Sequence, residues 1–191
     1  DGSTAVTQSI NDNSTKIATT AYVDASIDTT DTLSEILAIG NTTGANNTAI
    51  GTEAMKCNTE GCRNTVVGHN ALRSSACASF NVAVGYLAMY DNTTGYQNVA
   101  VGYGSMENNT TGKNITALGQ GSLGANTTGG ANTAIGKSAM LSNTEGAQNV
   151  AVGENALRVN LCAGCNVAVG LDALCSNTSG CLNTAVGAAA L

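Results

Sequence analysis

A glycine returns every 17 residues along most of this chain: Gly51, Gly68, Gly85, Gly102, Gly119, Gly136, Gly153, Gly170 and Gly187. The run from Ile39 to Leu191 is therefore nine copies of one 17-residue unit, with no insertion or deletion. A short, strict period is the signature of stacked like turns, each burying its apolar side only against its neighbours. A stack offers length and surface rather than the enclosed cleft in which most catalysis takes place. The expected fold is all-β: a β-solenoid or β-roll of nine rungs over 39–191, preceded by a short helical segment over 1–38.

Composition agrees with a thin core. Aromatic residues make up 3% of the chain, and Trp and Pro are absent. The apolar side chains are mainly Ala, Val, Ile, Leu and Met, small enough to fill a narrow cross-section turn by turn. Charged residues are only 10%, whereas disordered chains are usually highly charged and poor in β-branched residues. The net charge is −6, with no Lys/Arg cluster, which gives nucleic-acid binding no support. No apolar run approaches the roughly 20 residues that span a bilayer, so no membrane insertion is expected. The opening Asp1-Gly-Ser-Thr4 is neither an initiator nor a signal peptide, and no polar cap follows Leu191. The chain reads as a segment of a longer one.

Numbering the columns of the unit from 1 at Ile39, columns 3 to 6 read Asn-Thr-Thr-Gly, as in Asn41–Gly44 and Asn92–Gly95. This is turn chemistry, since Asn caps its own backbone and Gly accepts positive φ. Columns 9 to 13 read Asn-(Thr/Val)-Ala-(Ile/Val)-Gly, as in Asn98–Gly102, a short strand closed by a glycine corner. Columns 10 and 12 carry the larger residues and are expected to pack into the turn's own core. Column 11, nearly always Ala, is expected to point the other way and to be buried as well, letting another backbone come close. Stacked Asn in columns 3 and 9 should hydrogen-bond up the array. Ile115 replaces the Asn of column 9, so a local register irregularity is expected there. Around Ser75 the Asn-Thr-x-Gly turn is lost.

In the head, Lys16–Ile27 and the capping-box stretch Thr32-Leu-Ser-Glu35 fit short helices, neither long enough to be stable alone. The segment Asp12-Asn-Ser-Thr-Lys-Ile-Ala-Thr-Thr-Ala-Tyr-Val-Asp24 resembles one that recurs in bacteriophage tail fibres. The Thr32–Gly44 stretch looks like their helix-to-repeat junction. The Asn-x-Ala-(Ile/Val)-Gly unit is similar to the head repeats of trimeric autotransporter adhesins, although the 17-residue period is longer than in those heads. The resemblance implies a homotrimeric fibre, its β-rolls intertwined or side by side, on a virion or otherwise extracellular. Its partners would be copies of itself, other fibre or virion proteins, and a host cell-surface glycan or protein.

Chemistry-bearing residues are few. Of the seven cysteines, Cys57 and Cys62 flank one turn, and Cys175 and Cys181 flank another; these four are candidate disulfide partners in an oxidising compartment. Buried inert thiols are the plain alternative. Cys162-Ala-Gly-Cys165 has CxxC spacing, but no redox-type βαβ pattern surrounds it and His69 is the only histidine. His69 sits in column 14, which varies from copy to copy and should be a solvent-facing turn. Column 14 and columns 7 and 8 read as the outer surface, where Tyr86, Tyr96 and Tyr103 either stack on sugars or simply add polarity. Asn-x-Ser/Thr triplets begin at Asn13, Asn41, Asn92, Asn109, Asn114, Asn126 and Asn177. They arise readily by chance in an Asn/Thr-rich array. No catalytic constellation, metal site or cofactor motif is present, so no enzymatic activity and no cofactor are expected. The leading expectation is a structural tail-fibre segment reaching toward or adhering to a host surface. A self-polymerising adhesin filament is the runner-up, and a polysaccharide-cleaving tailspike would need paired carboxylates on neighbouring rungs.

Overall fold

The computed structural model of the protein describes residues 46–191, and the helices expected at 16–27 and 32–37 lie outside them. Nine three-residue strands follow in order: β1 (Thr48–Ile50), β2 (Thr65–Val67), β3 (Val82–Val84), β4 (Val99–Val101), β5 (Thr116–Leu118), β6 (Thr133–Ile135), β7 (Val150–Val152), β8 (Val167–Val169) and β9 (Thr184–Val186). They form one parallel sheet in sequential order. The register is constant: Ala100 pairs with Ala83 below and Ala117 above. With strands about 4.8 Å apart, the sheet runs for roughly 40 Å along the axis.

The other sides of each rung are bonded to their neighbours as well. The amides of Thr93, Thr94 and Gly95 all donate to the Thr110 carbonyl, at 3.1, 3.1 and 3.2 Å, and the Thr93 hydroxyl adds a fourth bond at 3.0 Å. Past the strand, Met89 donates up to Ser105 and Leu87 donates down to His69. A rung is therefore held all round its perimeter, which lets strands as short as three residues persist.

The two faces of the strand are the reverse of the expectation. Column 11 points inward: Ala83, Ala100, Ala117, Ala134 and Ala151 are completely buried. Columns 10 and 12 point outward, with Ile50, Val67, Val101 and Ile135 each 37–43% exposed. The reason is thickness. Column 17 fills the interior with Met55, Leu72, Met89, Met106, Leu123, Met140 and Leu157, all buried, and column 16 adds Ala or Ser beneath them. Little more than a methyl group is left for the strand to contribute. Where column 16 is Ser, its hydroxyl donates to a strand carbonyl of the next rung, Ser105 to Ala117 at 3.1 Å and Ser122 to Ala134 at 3.0 Å.

Amide ladders make up the rest of the interior. In column 3, Asn109 donates to Asn92 Oδ1 at 2.7 Å, Asn126 to Asn109 at 2.8 Å and Asn143 to Asn126 at 2.9 Å. In column 9 the backbone amide donates to the Oδ1 of the rung below wherever that rung carries Asn, as from Asn81 to Asn64 and from Asn98 to Asn81. Buried amides are affordable only when bonded this fully.

The irregularity expected at Ile115 does not occur. Strand β5 pairs in step with β4 and β6, because the Ile115 backbone amide still reaches Asn98 Oδ1 at 3.0 Å. What is lost is the set of side-chain bonds an asparagine makes in that column, such as the one Asn98 Nδ2 donates to the Gly112 carbonyl at 2.9 Å. The turn around Ser75 keeps two of the three backbone bonds, with Ala76 and Cys77 both donating to Thr93.

Candidate functional site

Three surfaces follow from this stacking. The first is the glycine corner that limits the strand. Gly102 has φ +134°, and a Cβ there would stand 2.6 Å from the Gly119 carbonyl oxygen. The same close approach repeats from Gly51, where the neighbour is Gly68, to Gly170, where it is Gly187. Column 13 is glycine because adjacent backbones nearly touch, and the corner turns sharply enough to send column 14 outward.

The second surface is the outer face of the sheet. Column 10 presents Thr or Val and column 12 presents Ile, Val or Leu, nine deep and in exact register. β-branched residues suit a flat pleated face. This stripe carries no charged residue on any strand. The stripe measures about 40 Å by 10 Å, on the order of 400 Å², apolar throughout column 12 and carrying Thr on five of the nine strands in column 10.

The third is the line of columns 14, 15, 1 and 2, beyond the glycine corner. The rings of Tyr86 and Tyr103 stack at 5.5 Å with planes 17° apart, and His69 meets Tyr86 edge-on at 5.4 Å. All three are exposed, as is Tyr96, so the outer-surface placement of columns 7, 8 and 14 holds. Aromatic residues of the array are confined to 80–103, two adjacent rungs. Three are covered by a cation: Arg63 over Phe80, Arg73 over Tyr90 and Lys113 over Tyr96. Tyr86 and Tyr103 have only each other and His69.

Along this third line the side chains first fill the corner and then withdraw. Glu53 binds both Lys56 and Arg73, and those bonds hold its carboxyl below the ordinary range, Lys56 contributing most. Farther on, Asn155 donates to Asp172 at 2.9 Å. Between them Gly104, Gly121 and Gly124 remove three side chains, and a groove of about 410 Å³ opens. Tyr103, Gln120 and Lys137 line one wall, with Glu107, Asn108 and Ser142 among the residues opposite. The sequence reading missed this groove. Its signal was present, because these three glycines stand outside the periodic columns of glycine.

All seven cysteines carry free thiols, including Cys57, Cys62, Cys175 and Cys181; Cys62 and Cys175 are half-buried and the others exposed. Cys62 lies 3.6 Å from the Ser79 hydroxyl, and Cys165 lies 3.4 Å from Gln148 Oε1. Among the described residues no three His, Cys, Asp or Glu side chains gather into a metal-holding group, and no helix is long and apolar enough to cross a membrane. Of the triplet asparagines, Asn92, Asn109 and Asn126 are completely buried in the column-3 ladder, where no glycan can be attached. No protein-family model, curated protein or solved structure matches this chain.

Proposed function

We propose that this chain is a structural segment of a fibre, a homotrimer that extends toward or adheres to a host cell surface, and that the fibre is a bacteriophage tail fibre. The observation that carries the reading is the outward β-branched face. Nine strands in constant register present an uncharged apolar stripe along the whole described array, and such a stripe favours a second copy of itself over water. Stripe area alone is about half of what a standard interface buries per partner, so the corners beside it would join the contact. The resemblance of Asp12–Asp24 to tail-fibre segments supplies the tail-fibre part of the reading and a location on the virion or outside the cell. Function here is geometric: the stack holds its surface at a distance and repeats weak contacts along an axis, where avidity replaces a deep pocket. The reading assigns the chain no cofactor and no chemistry.

A mass measurement by light scattering, with and without reductant, tests it. Three chains in both conditions support the fibre; one chain overturns it. The second reading, a self-polymerising extracellular filament, draws on the exposed thiols Cys57, Cys77, Cys162, Cys165 and Cys181. It requires long assemblies that come apart in reductant.

A further inference from the structure

We infer that the groove between the fourth and seventh rungs is a saccharide-binding site for a neutral hexose chain lying along the fibre axis. The inference rests on the adhesive reading above and gives its surface contact a place and a chemistry.

Three features of the groove select this ligand. First, its floor is bare: Gly104, Gly121 and Gly124 stand on a line where other rungs carry bonded side chains, as at Glu53–Arg73 and Asn155–Asp172. A volume near 410 Å³ lies within the range of small-ligand sites. Second, its upstream end is an aromatic platform. Tyr103 is 54% exposed, and Tyr86 stacks behind it, which holds the ring without covering its free surface. A tyrosine face is electron-rich and apolar, matching the C–H-bearing face of a pyranose. Third, the walls carry hydrogen-bonding groups at rung spacing: Gln120, Lys137, Asn108, Glu107 and Ser142. A rung step of about 4.8 Å is close to the length of one pyranose ring, so successive sugars meet successive rungs.

Charge sets the preference for neutral sugars. Glu107 and Lys137 bring one charge of each sign to the groove, and Lys137 is engaged by Glu154 at 3.4 Å. The chain as a whole carries −6, which repels polyanionic glycans. The groove runs along columns 14, 15, 1 and 2, whereas the stripe runs along columns 10 and 12.

The test uses the full chain and a panel of soluble hexasaccharides: neutral glucan, mannan and galactan fragments, with oligosialic acid as the acidic comparison. Saturation-transfer NMR and titration should show weak binding of at least one neutral fragment, with the largest shifts at Tyr103 and Gly121. Tyr103→Ala should weaken that binding about tenfold or more. Gly121→Leu should abolish it by filling the floor; leucine is tolerated in the same column and conformation at Leu87, φ 58°, so the variant keeps the fold. Leu171→Ala, exposed in the same column as Tyr103 but outside the groove, should leave binding unchanged. No binding by any neutral fragment, binding only to oligosialic acid, or binding indifferent to both groove variants overturns the inference. Because the groove lies within a single chain, each of these results is independent of whether three chains assemble.

Discussion

Ser75 and Asn58 hold the same column on successive rungs, both buried, and neither the Ser75 hydroxyl nor the Asn58 Oδ1 has a hydrogen-bond partner. From Asn109 to Asn177 each asparagine of that column donates down to the asparagine below, as Asn109 does to Asn92. Serine is too short to reach down, so this one position breaks the ladder and leaves two unsatisfied atoms, its own hydroxyl and the Asn58 Oδ1 below it. Restoring the column should mend both. Ser75→Asn is expected to raise stability by about 1–2 kcal/mol, a rise of a few degrees in Tm for a domain of this size. Thermal melts at equal protein concentration check it, and an unchanged or lower Tm would count against the ladder's energetic role.

Backbone corners make opposite demands on two neighbouring residues. At Gly136, φ is +131° and a Cβ would stand 2.5 Å from the Gly153 carbonyl. Gly136→Ala should cost on the order of 3 kcal/mol or more. Ala131 is exposed with φ +56°, an unfavourable conformation for a residue with a Cβ. Ala131→Gly should therefore stabilise by about 0.5–1 kcal/mol. Urea titration of both variants gives the comparison, and equal effects of the same sign would sink the argument.

The apolar stripe makes its own prediction. Val101 and Ile135, each 37% exposed, lie on the outer face. Val101→Lys with Ile135→Lys should leave the rung fold intact, since neither side chain enters the core, yet reduce the light-scattering mass to one chain. A trimer that survives both lysines would show that the chains associate elsewhere.

Thiol chemistry separates the readings of the cysteines. With every thiol free, protein isolated without reductant should label at all seven, with Cys62 and Cys175 slower because they are half-buried. Mass spectrometry reads the count. Fewer labels before reduction than after would reveal pairing across a turn or between chains.

Glu53 sets an acid limit at one end of the described array. Its folded pKa lies below the ordinary 4.5, held there first by Lys56 and then by Arg73. A depressed carboxylate adds stability above its unfolded pKa and loses it as pH falls through the folded value. The advantage of wild type over Glu53→Gln should therefore be present at pH 6 and vanish below the folded pKa. A difference independent of pH would remove the ion pairs as its cause.

The fold was legible where the sequence is periodic. A constant step of 17 residues placed the strands, the glycine corner and both amide ladders, because each needs the same residue in every rung. Which strand face lies inside was not legible. Val99-Ala-Val101 shows two unlike faces, but three residues do not say which is covered; Met106 and its column decide that by filling the interior. The left-handed corners were hidden too. Phe80, Leu87 and Met106 have φ of 61°, 58° and 53°, in a conformation that usually announces itself through Gly or Asn. An amide bond to an adjacent rung holds each of them there, Phe80 to Cys62, Leu87 to His69 and Met106 to Ser122, and no local signal records it. The groove depends on three non-periodic glycines meeting across rungs, a juxtaposition seen only once the units are stacked.

Constant register also makes length a separable trait. Each rung hydrogen-bonds only to the one before and the one after, so the energetic terms are those of a one-dimensional lattice. Deleting or duplicating one 17-residue unit in the gene would change the reach by a single step of about 4.8 Å while every surviving ladder closes again. An insertion that is not a whole number of units would put the columns of neighbouring rungs out of step. Such a protein is a ruler whose graduations are written in DNA, and recombination between near-identical units can reset its scale without redesigning a single contact.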